Sequence, residues 1–540
     1  MGVRTAALSL FLAAAVPVAA ADGHSSHQIP VVPVELLERA VSLRTGIGTA
    51  HDAVATSSAD AQRFYDQGIT YLHNYVWIDA ARSFHHALRL DSNLALAHVG
   101  LSYALAELNQ RDAAHTAMDR ASALANSASD HDRQHIAVRR RQLDAEDRPD
   151  DSARLAAYRR ALDDALEQFP SDAELWLQRG VAEAPTASDR GQGSRETSIS
   201  YFMRALSAAP DHFAAHHYLA HAYENMGRID TALPRAEAYA RLAPNVPHAR
   251  HMWGHELRRI GRIRDAIAEF EAADRLATDS MRSEGVRPEY DWHNEHNLDL
   301  LAMAYQSAGQ ISKAGPLFEK AFALPTIHLV QAFNKREWPM FLRLRDRPDD
   351  ALAAARTLAA HPNPVVQAIG HVEIGHIRLT ERQYAEAAAE SNAALRLLKG
   401  DVVGSGLASL PFEALQGEFF LRTGQREKGR AMLEAMIGKA RAAPGPDEWL
   451  QALFALEWIA RAARETGDWE LAGRVAEHMV AHDPAYAGAH YALAIVAEQR
   501  NDLRTAAPEL AQAIERWSSA DPDLPELRDA QTRLRRILRR

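Results

Sequence analysis

Pro210 and Pro244 stand 34 residues apart and close two successive segments of similar pattern. A fixed period of roughly 20 to 50 residues marks a stacked solenoid, not a set of separate globular domains. The segment from His216 carries Leu219, Ala220, Tyr223, Gly227 and Ala232 before Pro244. One unit later Trp253, Gly254, Gly261, Ala266, Phe270 and Ala273 repeat the order, and Leu301, Ala302, Tyr305, Gly309, Ala314, Phe318 and Ala321 repeat it again. Small residues let two helices approach closely, and the aromatic fills the gap between them. One such pair cannot bury its own apolar face, so neighbouring pairs must stack.

These positions resemble the tetratricopeptide repeat (TPR) family. The same grammar appears at Gly68, Tyr71, Ala80, Phe84 and Ala87, and again at Ala492, Ala507 and Ala513, so the resemblance covers most of residues 60 to 517. It implies an all-α fold, a right-handed superhelix (α-solenoid) of about ten or eleven helix-turn-helix repeats with a concave groove. It is specific for fold and nearly silent on function, because such repeats serve as scaffolds in many settings. The expected organisation is a leader over 1–21, an extension over 22–59, a first array over 60–126 and an irregular helical connector over 127–170. A central array over 171–326, a C-terminal array over 327–517 and a basic helix over 518–540 follow. Insertions around Pro185 to Arg195 and Asp279 to Tyr290 interrupt the stacking.

The N-terminus opens with Arg4, runs through an apolar stretch from Ala6 to Val16 and reaches Ala19-Ala20-Ala21 before Asp22. That is the pattern of a cleaved signal peptide with an Ala-x-Ala site, so a periplasmic or secreted protein is expected. No later stretch has the roughly 18 uninterrupted apolar residues of a transmembrane helix, and no membrane span is expected. The chain has no cysteine, which excludes disulfides, thiolate metal sites and Cys nucleophiles. A formal charge of -10 without a basic block argues against nucleic acid as partner.

Nine of the 26 histidines fall between His212 and His296. In the TPR family the second, fifth and ninth positions of the first helix of each repeat face the groove, as the resemblance implies. Taking Gly227, Gly261 and Gly309 as equivalent, those positions hold Ala214, His217 and His221, then His248, His251 and His255, then His296, Asp299 and Met303, with His293 one turn earlier. Spacings of three and four put each row on one helical face. Imidazoles from packed neighbours can converge on one ion, so the ladder offers one or two nitrogen-rich sites. The alternative is that these histidines hydrogen-bond a peptide or are satisfied core residues. The run His216-His217-Tyr218-Leu219-Ala220-His221, then His248-Ala249-Arg250-His251-Met252-Trp253-Gly254-His255, resembles uncharacterised secreted bacterial TPR proteins with a His-Met-x-x-His signature. The resemblance points to a shared site and names no reaction.

With imidazole and no thiolate, the cofactor expected is a transition metal. Copper is favoured over zinc or iron, because Met303 suits cuprous copper and cleavage after Ala21 would place His24 third in an N-terminal Cu(II)/Ni(II) motif. Tyr218, Tyr290, Trp292 and Arg258 are candidate pocket-lining residues. Two functions compete. One is an exported metalloprotein for copper handling or metal-dependent oxidative chemistry, hence a candidate oxidoreductase, acting on a peptide, protein or small molecule in the groove. The other is a metal-free periplasmic scaffold that grips a peptide or protein partner. His-Glu-x-x-His and nucleophile-elbow motifs are absent, so neither a zincin peptidase nor a serine hydrolase is supported.

Overall fold

Hairpin after hairpin turns on a single left-handed residue. Tyr75, Asn109, Gly227, Gly261, Gly309, Asp346, Arg382, Gly424, Gly467 and Asn501 all have φ between 56° and 87°, each two residues before the second helix of its hairpin begins. The amide that follows closes the preceding helix by bonding back to its last turn, as in Val76 N–H to the Tyr71 carbonyl (3.0 Å) and Arg262 N–H to the Leu257 carbonyl (2.9 Å). This Schellman-type cap stops the first helix and reverses the chain in the fewest residues.

The computed structural model describes residues 31–326, 328–443 and 445–539. The expected leader, its cleavage site and His24 lie outside the described residues. The described residues form an all-α array of 27 α-helices with short 3-10 turns and no strand. Helices pair as antiparallel hairpins, for example Phe213–Glu224 with Ile229–Leu242 and Pro247–Arg259 with Ile263–Glu284. Ala173–Val181 and Glu196–Ala208 make the same pair across a longer connection, and Asp130–Glu146 packs on Ser152–Gln168. No described helix is long and apolar enough to cross a membrane.

The hairpin interiors follow the small-residue rule. A Cβ on Gly254 would lie 2.8 Å from the Phe270 ring, and Cβ atoms on Gly68 and Gly100 would both strike Phe84. Glycine at these sites lets the helices close on an aromatic that is fully buried.

The array also winds back on itself. Asn245 N–H reaches the Gly46 carbonyl (2.8 Å), Arg82 pairs with Glu284 (2.9 Å), and Trp77 stacks on Trp292 at 5.3 Å. Further along, Arg258 pairs with Asp483 (2.7 Å) and Ser312 N–H donates to the Asp521 carboxylate (2.7 Å). The Arg82 and Ser312 contacts span 202 and 209 positions of sequence, so one turn of the array seats on the next. The 185–195 insertion is pinned inward by Arg190, which reaches Glu107 (2.6 Å) and Glu146 (2.8 Å).

Candidate metal centre

Three helices deliver the histidines: Phe213–Glu224 carries His217 and His221, Pro247–Arg259 carries His248, His251 and His255, and Trp292–Ser307 carries His293 and His296. Stacking sets the faces side by side, and the rings sort into two triads. His217, His221 and His248 form one, and His251, His255 and His296 the other; within each, one donor atom per ring lies within 4.8 Å of the others. In the first, His217 Nε2 is 3.1 Å from His221 Nε2 and 3.0 Å from His248 Nε2. In the second, His251 Nε2 and His255 Nε2 are 2.8 Å apart. His293 stands between them, its ring 5.0 Å from His248 and 4.7 Å from His251, centre to centre.

The outer nitrogens fix the tautomers. His217 Nδ1 faces the His73 carbonyl at 2.8 Å, and a carbonyl can only accept, so Nδ1 carries the proton. Asn297 donates its amide to the Phe270 carbonyl (3.1 Å), which leaves its Oδ1 to accept from His251 Nδ1 (2.9 Å). His255 Nδ1 faces the Glu224 carboxylate at 3.3 Å. With Nδ1 protonated, His217 and His251 each leave the Nε2 lone pair facing the neighbouring ring, free to accept a proton from it or to share a cation with it. Metal-ligating histidines are oriented by this same outer arrangement, with Nδ1 donating to a carbonyl, amide or carboxylate.

Burial pushes His217, His248, His251 and His293 well below the usual imidazole range, and neighbouring imidazoles push the same way in His217, His248 and His251. His221 is lowered to about 4 by burial despite the nearby Glu224 carboxylate. The neutral form is the one that offers a lone pair to a metal.

Asp299 and Met303 are not part of the triads. Asp299 is buried among acids, with Glu295, Glu337 and Asp447 raising its carboxyl on top of the effect of burial, while Met303 packs in the apolar core with Leu257 and Phe270. Both lie on Trp292–Ser307 beyond His296, so the helix carries them away from the converging rings.

A cleft of about 110 Å³ lies against His248 and His293, walled by Tyr75, Tyr290, Asp291 and Trp292. Tyr218 is elsewhere. It lines a separate cavity, and its hydroxyl bonds His73 at 2.7 Å. Arg258 is withdrawn from the cleft by Asp483 and lies over Trp449.

Tyr75 was not visible as a site residue in the sequence. Its turn position is glycine in the histidine-bearing repeats, and a left-handed bulky residue there costs about 1–2 kcal/mol. Its ring lies 4.7 Å from His217 and 4.9 Å from His248, while its carbonyl accepts from Trp292 Nε1 (3.1 Å). Four other hairpins also lack glycine at that position, at Asn109, Asp346, Arg382 and Asn501, so nothing in the repeat pattern singled Tyr75 out. A second cluster, Asp52, His131, His135 and Asp172, was also missed; the His131 to His135 spacing signalled half of it.

A family model described as tetratricopeptide repeat matches residues 201–233, the stretch that carries His217 and His221 of the first triad. Fold and local match define a TPR-type helical array. No curated protein sequence matches the chain. Among solved structures, yeast Tom70 aligns at 13% identity over 88% of this chain and 95% of its own, with a TM-score of 0.33. Human IFIT1, in a dimer with PPP-AAAA, aligns at 13% over 83% and 94%, with a TM-score of 0.39. Cut9 bound to Hcn1 aligns at 11% over 89% and 91%, with a TM-score of 0.33.

Proposed function

We propose that this chain is an exported metalloprotein in which two abutting trihistidine sites hold transition-metal ions beside a small-molecule cleft. The observation that carries the reading is the pairing of His251 and His255, both held by acceptors at Nδ1 and facing each other through Nε2 at 2.8 Å. Copper remains the favoured ion, now on different grounds. Met303 sits in the apolar core, but a nitrogen-only donor set binds Cu(II) most tightly among the first-row divalent ions.

Within this reading His217, His221 and His248 hold one ion and His251, His255 and His296 the other, with His293 able to serve either. Tyr75, Tyr290 and Trp292 shape the space that a bound small molecule would enter through the His248 and His293 side. Bound copper would supply one-electron redox chemistry there, while the chain orients the ligands and restricts water. The expected leader supports an address in the periplasm or outside the cell as part of this reading.

The test is metal analysis of full-length protein exported from cells grown with copper. Two copper ions per chain are expected, falling to one in His251→Ala/His255→Ala and to one in His217→Ala/His221→Ala. Folded protein that binds no copper, zinc or iron stoichiometrically would instead leave a metal-free TPR scaffold for a peptide or protein partner.

A further inference from the structure

We infer that Asp52, His131, His135 and Asp172 form a second, chemically different metal site that takes a zinc-class divalent cation and ties three distant pieces of the chain together. His131 and His135 stand four apart on the helix Asp130–Glu146. Asp172 caps Ala173–Val181, accepting from the Leu175 N–H at Oδ1 (3.0 Å) and leaving Oδ2 to face the histidines. Asp52 comes from the extended segment before the first hairpin.

The four donors have the dimensions of a coordination shell. His131 Nε2 is 3.2 Å from Asp52 Oδ1 and 3.0 Å from Asp172 Oδ2; His135 Nε2 is 2.8 Å from Asp172 Oδ2 and 4.0 Å from Asp52 Oδ2. Zinc bonds of roughly 2.0–2.2 Å in a tetrahedron separate neighbouring donors by about 3.3 Å. The observed separations bracket that edge. The His131 and His135 rings are 4.6 Å apart, and both present Nε2 to the same oxygen, Asp172 Oδ2.

Charge points the same way. The carboxylates of Asp52 and Asp172 are each 7% exposed, and Asp132 stands behind His131 Nδ1 at 3.3 Å. Three carboxylates around two imidazoles leave an anionic, poorly hydrated pocket that a dication neutralises. Two imidazoles with two carboxylates and no sulfur suit zinc better than cuprous copper. Four protein donors fill a tetrahedral shell, which is the pattern of a structural site. The site fastens the N-terminal segment against the connector helix and the hairpin that precedes the first triad. It is independent of those triads.

The experiment uses the full-length chain carrying His217→Ala, His221→Ala, His251→Ala and His255→Ala, purified and exposed to Zn2+ alone. One zinc per chain is expected, with an X-ray absorption spectrum showing four nitrogen or oxygen neighbours, two of them imidazole. Adding His131→Gln and His135→Gln should drop zinc below about a tenth of an equivalent and abolish the loss of Tm on chelation. If the quadruple variant does not fold, wild-type protein loaded with copper and then Zn2+ replaces it, and one zinc lost on His131→Gln/His135→Gln is expected. A folded parent that binds no zinc, or whose Tm is indifferent to chelators, overturns the inference and leaves an imidazolium–carboxylate network.

Discussion

Asn297 accepts from His251 Nδ1 at 2.9 Å while its own amide is committed to the Phe270 carbonyl at 3.1 Å. The second bond fixes which end of the amide faces the histidine, so Asn297 sets the direction of the His251 lone pair. Losing an outer partner of this kind typically lowers metal affinity by about 10–100-fold. Asn297→Ala should weaken copper binding at the His251, His255 and His296 triad by that factor. The other triad should be unchanged. Chelator competition on each single-triad variant measures this, and equal weakening of both triads would contradict the assignment.

Arg258 and Asp483 form a buried pair, each about 3% exposed, between successive turns of the array. Removing one partner strands the other charge in a dry contact, at a cost of roughly 3–5 kcal/mol. Arg258→Met should therefore lower stability by that amount without changing metal stoichiometry. Arg258→Met/Asp483→Leu should recover most of it. Denaturant unfolding of the two variants decides; a double variant no better than the single would mean that Arg258 acts through Trp449 instead.

How far the sequence reveals such features depends on what sets them. The hairpins are legible because the turn residue, the small residues and the aromatic recur at fixed offsets, and those offsets are local geometry. The two histidine triads draw on the same local order, since three- and four-residue spacing puts His248, His251 and His255 on one face of one helix. Winding of the array is not local. It brings Tyr75 onto His217 and Asp483 onto Arg258, and no spacing within a repeat encodes either contact. Asp52 and Asp172 meet His131 and His135 for the same reason, through segments with no periodic relation.

Glu146 gives the acid sensitivity of the connector. Burial alone would raise its carboxyl, but Arg139 and Arg190 outweigh burial and hold it at about 2, against an ordinary 4.5. A depressed carboxyl contributes stability above the unfolded value and loses it as pH falls toward the folded one. Wild-type protein should lose on the order of 3 kcal/mol between pH 4.5 and 2 from this group. Glu146→Gln should be less stable at neutral pH, because Arg139 is fully buried, yet flatter across that acid window. Chemical denaturation at a series of pH values provides the comparison, and parallel curves for the two proteins would rule the mechanism out.

Two helical glycines separate packing from propensity. A Cβ on Gly370 would lie 2.1 Å from the Ala359 amide nitrogen, a backbone atom that cannot turn aside, so Pro364–Thr380 must shift off the preceding helix to admit it. Gly438 lies inside Arg426–Ala442, and a Cβ added there would meet nothing within 4 Å, so alanine only gains helix propensity. Gly370→Ala should cost about 1–3 kcal/mol or more through overpacking. Gly438→Ala should add up to about 1 kcal/mol. The opposite signs are the test, read by urea unfolding of both variants: the glycine that lets two helices touch is irreplaceable, and the one facing open space is not.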